Sequence, residues 1–194
     1  MHNIMTKVAQ GMAILGALVL SFLIVMTCVS VLGREVNSFL NSDFVQGLMP
    51  GLAEGLLALG IGPVTGDFEL IENGLPFAIF AFLPLAQMQA AHVTVDIFTA
   101  RVPPRILSWM KAVVEVVFAV VLIAFAIKLY EGMQGKMRYS ETTYLLQFEV
   151  WRTYALAFGA SVIASITGVW MAGVRVFEAW SGTQIVIEDA EAGH

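Results

Sequence analysis

The stretch VAQGMAILGALVLSFLIVMTCVSVLG, residues 8–33, carries no charged side chain over 26 positions. A hydrocarbon core of about 30 Å takes about 20 helical residues to cross, so this stretch is long enough to span it. Only a helix or a closed barrel satisfies its own backbone donors and acceptors where water is absent. Two further stretches have the same character, Asn73 to Ala91 and Thr153 to Val174, uncharged over 19 and 22 residues. A fourth, Arg105 to Tyr130, is apolar apart from Lys111, Glu115 and Lys128. The chain is therefore read as an all-α integral membrane protein with four transmembrane helices, at about 8–32, 68–91, 105–130 and 152–175. These form one domain over 1–180, followed by a tail over 181–194.

Composition agrees. Of 194 residues, 58% are hydrophobic and 13% charged, against about 25% charged in a soluble domain. The first stretch exceeds the apolar core of a secretory signal, about 7–15 residues, and no small-x-small cleavage site follows it, so it is read as a retained helix. The lone Cys28 lies in this span and excludes an intramolecular disulfide. Net charge is −5 with no basic run, which points away from nucleic acid. Glu188, Asp189 and Glu191 make the tail acidic, and a solvated, mobile terminus is expected there.

Small residues suggest where helices meet. Ala160, Ala164, Gly168 and Ala172 recur every four residues in the last span, and Ala13, Ala17 and Ser21 in the first. Lipid gives helices no hydrophobic reason to associate, so close contact at such residues must supply it. These seams are expected to face another helix, in this chain or in a partner. Pro76 and Pro84 are expected to kink the second helix. Pro103-Pro104 marks the start of the third. Between the first two spans, 44–66 holds six glycines and two prolines; this is expected to be a short interfacial insertion, with a re-entrant hairpin as the alternative. Trp109, Trp151, Tyr154, Trp170 and Trp180 sit near span ends, where amphipathic rings favour the headgroup layer. Lysine and arginine fall five on each side, so the positive-inside rule leaves orientation undecided.

Chemistry is sparse. The three histidines are His2, His92 and His194, and none lies at the depth a bis-imidazole haem would require. There is no cysteine cluster, P-loop or H-E-x-x-H pattern. No histidine within the spans stands ready to activate a serine. No cofactor is expected, and no catalytic group. Glu115, one turn from Lys111, is expected to form an interfacial ion pair or a contact to a partner helix. His92 and Asp96, four residues apart, read as a polar helix end or a partner contact. Glu69 and Glu72 open the second helix, where negative charge complements its dipole. Arg34 and Arg138 sit in the outer loops.

In order, these features resemble a known family. They are Val31-Leu32-Gly33-Arg34, Glu69-Leu70-Ile71-Glu72, His92-Val93-Thr94-Val95-Asp96, Val102-Pro103-Pro104-Arg105 and Trp151-Arg152-Thr153-Tyr154 ahead of a small-residue helix. The set, covering about 30–175, is similar to the small membrane subunit (DctQ-like, or Q subunit) of tripartite ATP-independent periplasmic (TRAP) transporters. The chain differs in the 44–66 insertion and in Gln87-Met88-Gln89 before the histidine. The resemblance implies an accessory subunit of the bacterial inner membrane with both termini cytoplasmic. It implies a large TRAP membrane subunit and a transient periplasmic substrate-binding protein as partners, with membrane lipids around them. Sodium-driven uptake of an organic acid is also implied. Ala160, Ala164, Gly168, Ala172, Ala13, Ala17, Glu115, His92 and Asp96 are then candidates for the partner interface. Arg34, Glu69, Glu72 and Arg138 are candidates for periplasmic contact. The rival readings are an anchor subunit of another membrane complex and a homo-oligomeric channel.

Overall fold

The computed structural model describes residues 2–42, 45, 47, 51, 55, 60, 62–89 and 103–182. The described residues form four long α-helices: α1 (His2–Leu40), α2 (Asp67–Met88), α3 (Pro104–Arg138) and α4 (Val150–Ser181). Each is long and apolar enough to cross a membrane. Most of the expected insertion, the His92–Asp96 pair and the acidic tail lie outside the described residues.

The helices outrun their spans. At 39, 35 and 32 residues, α1, α3 and α4 are about 58, 52 and 48 Å long at 1.5 Å per residue. A bilayer ends the apolar pattern but does not end a helix, so α1 continues six residues past Arg34 and α3 continues ten past Lys128. Lys136 and Arg138 occupy the last turn of α3, where positive charge complements the dipole. Gly182 ends α4 in the left-handed conformation, φ 71°, and its N–H donates to Glu178 O at 2.9 Å. That conformation costs glycine nothing. The second helix ends at Met88, short of the expected 91, and runs as one helical segment through both prolines.

Neighbours follow an up-down-up-down chain but not a closed ring. The helices pack as a row in the order α1, α2, α4, α3, with only slight contact between α1 and α4. α1 and α2 run antiparallel, Ser30 meeting Asp67 at one end and Ala9 meeting Met88 at the other. α2 and α4 run parallel, joined through Met12–Ala81–Ala160 and Ala9–Met88–Met171. α3 and α4 are antiparallel, with Gly132 against Tyr154, Tyr130 against Phe158 and Leu122 against Gly168. Phe80 and Phe125 meet edge-on, their centroids 6.0 Å apart, and bring α2 up to α3.

The seam on α4 is used within the chain. Ala160, Ala164, Gly168 and Ala172 are all buried. A Cβ at Gly168 would stand 3.0 Å from Leu122 Cδ1 and 3.6 Å from Ala119 Cα. The facing stripe of α3 is Ala112, Glu115, Ala119, Leu122 and Ala126, all buried. On α1 the close approach belongs to Gly16, where a Cβ would meet Ala81 Cβ at 3.0 Å. Ala13 is buried beside it, while Ala17 and Ser21 face outwards. The real stripe follows the 3.6-residue helical repeat through Ala9, Met12, Gly16, Leu23, Met26 and Ser30, which a strict four-residue step drifts away from. Wide apolar faces remain on the two edge helices, through Leu18, Phe22, Val25 and Val29 of α1 and Val113, Val117 and Val120 of α3.

Candidate functional site

Polar chemistry gathers at the end of the row where α1 stops, α2 starts and α3 turns into α4. Ser30 Oγ donates to Asp67 Oδ2 at 2.6 Å and accepts from the Val64 N–H at 3.2 Å. Arg34 adds an ion pair to the same Asp67 oxygen at 3.2 Å. The chain leaving the insertion is thereby fastened to α1. Gly33 permits it, because a Cβ there would collide with the Gly62 carbonyl. Asp67 lies beyond the uncharged crossing stretch of α2. Its carboxyl is held below the usual carboxylate range, first by the Ser30 hydroxyl and then by the Phe68 N–H.

A second clamp holds the α3–α4 loop. The Glu69 carboxylate accepts from the backbone N–H groups of Leu145 at 2.6 Å and Leu146 at 2.9 Å. Glu69 and Asp67 do lie in the first turn of α2, as the dipole favours. The Glu69 side chain, however, reaches across to another element. An isolated antiparallel bridge between Thr142 and Glu149 closes the loop, Lys136 is paired with Glu141, and Arg152 is paired with Glu149 at 2.6 Å. The Arg152 guanidinium also stands 5.8 Å from the ring centres of Phe148 and Trp151. Lys136, past the apolar part of α3, is held protonated above the ordinary lysine range, chiefly by its hydrogen bond to Glu141 and by that carboxylate's charge. Tyr139, Tyr144 and Leu145 project from the loop, Tyr144 being 88% exposed.

Beneath this loop is a recess of about 280 Å³, lined by Glu72, Asn73 and Pro76 of α2, Leu129 and Lys136 of α3, and Thr153 and Tyr154 of α4. At the opposite end, Arg175 Nη1 donates to Glu178 Oε2 at 3.0 Å, and both side chains are only 7% exposed. Glu115, 3% exposed, lies on the α3 stripe that faces α4 towards that same end.

Of the expected site residues, Glu69, Glu72, Arg34 and Arg138 do fall at one end of the row. Glu69 and Glu72 belong to the loop clamp and the recess, Arg34 to the α1–α2 lock, and Arg138 is exposed in the last turn of α3. Ala13, Ala160, Ala164, Gly168, Ala172 and Glu115 lie inside the chain, and Ala17 remains on its surface. His92 and Asp96 lie outside the described residues. Sequence reasoning missed Ser30, the partner of Asp67 from 37 positions away, and the buried pair of Arg175 and Glu178. The i, i+3 spacing of that pair was a legible signal. The Ser30 contact carried none.

No group of three or more histidine, cysteine, aspartate or glutamate side chains suited to a metal occurs among the described residues. Four apolar helices in a row, with polar clamps at their ends, describe a multi-pass membrane subunit. The chain belongs to the DctQ component family of tripartite ATP-independent periplasmic transporters, whose family model matches residues 23–180. No curated protein and no solved structure matches it. It is thus the small subunit of a TRAP transporter in the bacterial inner membrane, from a family of transporter components, not of enzymes. Such a component works with a large membrane subunit and a substrate-binding protein.

Proposed function

We propose that this subunit braces the large transport subunit in the membrane and helps to dock the periplasmic binding protein, without carrying solute itself. The transport it supports is sodium-driven uptake of an organic acid, and both termini lie in the cytoplasm. The observation behind this reading is the distribution of charge. Ionisable groups at depth are costly in lipid and mark solute pathways. Among the described residues the buried ones are Glu115, Arg175 and Glu178, all on the half of the α3–α4 contact away from the loop, so no chain of such groups crosses the row. The recess under the α3–α4 loop lies at one end of the row, and an apolar hollow lined by Met5, Trp170 and Phe177 lies at the other, with no lining residue in common.

A fixed brace also needs a face to offer its neighbour. The outward sides of α1 and α3 supply broad apolar surfaces in a membrane, where packing and not water exclusion drives association. Ala17 and Ser21 lie on such a face of α1. The test is reconstitution. Liposomes holding this chain alone should accumulate no organic acid under a sodium gradient. Liposomes holding it with the large subunit and the binding protein should do so, and omission of this chain should abolish uptake. Uptake by the chain alone would overturn the proposal. A cytoplasmic reporter fused at either terminus should be active, which checks the orientation.

A further inference from the structure

We propose that the recess beneath the α3–α4 loop holds one phospholipid whose headgroup carries a primary ammonium and a phosphate, the ammonium at Glu72 and the phosphate at Lys136. The inference needs only that the helices span a membrane and is independent of the bracing role.

Depth limits what can enter. The lining crosses the level at which the uncharged stretches end. Asn73, Pro76 and Ala157 lie within those stretches of α2 and α4, and Leu129 within the apolar run of α3, whereas Glu72 and Lys136 lie outside them. A hollow that is apolar on one side of that level and charged on the other matches a membrane lipid, which changes character in the same plane. At about 280 Å³ the recess is at the small end of ligand pockets. It takes a headgroup, and the acyl chains continue along the outside of the helices.

Charge then selects the headgroup. Glu72 and Lys136 attract one another across the recess but form no direct ion pair, since Lys136 is bonded to Glu141. Opposite charges held apart across a hollow suit a ligand that carries both signs. The negative side is rich in acceptors. Pro76 has no N–H to give the Glu72 carbonyl, which therefore stands beside the Glu72 carboxylate as a second acceptor. Asn73 spends its Nδ2 on Glu69 O at 2.6 Å and keeps its carbonyl oxygen. A primary ammonium brings three N–H donors to this group. A quaternary choline brings none, and it needs a cage of aromatic faces where Tyr154 alone is present. On the positive side, Lys136 retains N–H donors beyond the one given to Glu141. Phosphatidylglycerol would satisfy Lys136 and present nothing positive to Glu72. A lysine from a neighbouring protein would satisfy Glu72 and leave Lys136 facing a like charge. The zwitterion answers both.

The experiment strips lipid from the full chain, alone and in complex with its large subunit. Equal amounts of phosphatidylethanolamine, phosphatidylcholine and phosphatidylglycerol are then added, and native mass spectrometry counts the molecules retained. The unaltered chain should keep one phosphatidylethanolamine in preference to the other two, in both samples. Glu72→Gln, at an exposed position, should reduce that preference about tenfold, the loss expected for one charged hydrogen bond. Glu72→Lys should transfer the preference to phosphatidylglycerol. Equal retention of phosphatidylethanolamine by the unaltered chain and Glu72→Gln overturns the proposal. A preference seen only in the complex overturns it by placing the lipid on the large subunit, and one seen only in the isolated chain overturns it by showing that a partner side chain fills the recess. Displacement by chain-free glycerophosphoethanolamine at the same concentration overturns the lipid assignment in favour of a soluble ligand.

Discussion

Gly33→Ala is the smallest change that tests how the insertion is joined to the bundle. A Cβ at this position would collide with the carbonyl of Gly62. The obstacle is backbone, so no rotamer change relieves it, and α1 or the 62–66 segment must move. That movement opposes the Ser30–Val64 and Ser30–Asp67 hydrogen bonds, which hold the same two elements together. Overpacking of this kind costs about 1–3 kcal/mol, and the rigid obstacle puts Gly33 at the upper end. The control is Gly11→Ala, also within α1, where a Cβ meets nothing within 4 Å. There the change should be neutral or gain up to ~1 kcal/mol of helix propensity. Both variants share the propensity gain, so the difference isolates the collision, about 3 kcal/mol, or roughly a hundredfold in the unfolding equilibrium. Reversible unfolding in mixed micelles of rising dodecyl sulfate content, followed by helical circular dichroism, measures it. If Gly33→Ala and Gly11→Ala unfold at the same detergent fraction, the contact between α1 and the end of the insertion is not as described.

Three other changes probe different links. Replacing Arg175 by Met should destabilise the fold by about 3–5 kcal/mol, because Glu178 is left as a buried charge, whereas changing both residues to Met should recover most of the loss; the same unfolding assay compares single and double variants. Gly168→Leu should cost about 1–3 kcal/mol through overpacking against Leu122 and Ala119, while Gly159→Leu, with open space around it, should leave stability unchanged and lower co-purification only if a partner covers that face of α4. Ser30→Ala removes the hydroxyl that joins Val64 to Asp67 and should cost about 1–2 kcal/mol, seen as a lower midpoint in the same titration.

The spans were legible because their physics is one-dimensional. A run of uncharged apolar residues has the same meaning in lipid whatever surrounds it, and each of the four runs became a helix. The ends were less legible. Beyond Leu32 and Tyr130 charged residues appear but no proline does, and nothing in Arg34, Glu35 or Lys136 forces a stop. The α4 seam was found, since its repeat is close to regular, but repetition does not say who occupies the other side. Leu122 and Ala119 of the same chain face Gly168, and Met12 and Ala81 face Ala160. The clamps were hidden for another reason. Glu69 lies 76 positions from Leu145, and the atoms it holds are backbone N–H groups, which every residue other than proline possesses. No pattern of residue types announces such a bond.

The row arrangement bears on the bracing role proposed above. A closed bundle would bury part of every helix and leave four similar outer faces. In this row, half of the most apolar window of α4 is buried, against 28% in each edge helix, α1 and α3, and 17% in α2. Of the four, α4 is the one committed to its own chain, and the edges retain most of their surface for lipid or a neighbour. A partner helix laid along α1 or α3 therefore adds to the row without displacing an existing contact. At one end the row is stiffened by groups that ignore lipid, Asp67 tied to α1 and Glu69 to the α3–α4 loop. Side chains that packed only against lipid-like neighbours would allow the helices to slide, since one apolar surface is much like another in hydrocarbon. Directional bonds at that end fix the register of α1, α2 and the α3–α4 loop, and the bracing proposed above requires a wall that holds its register.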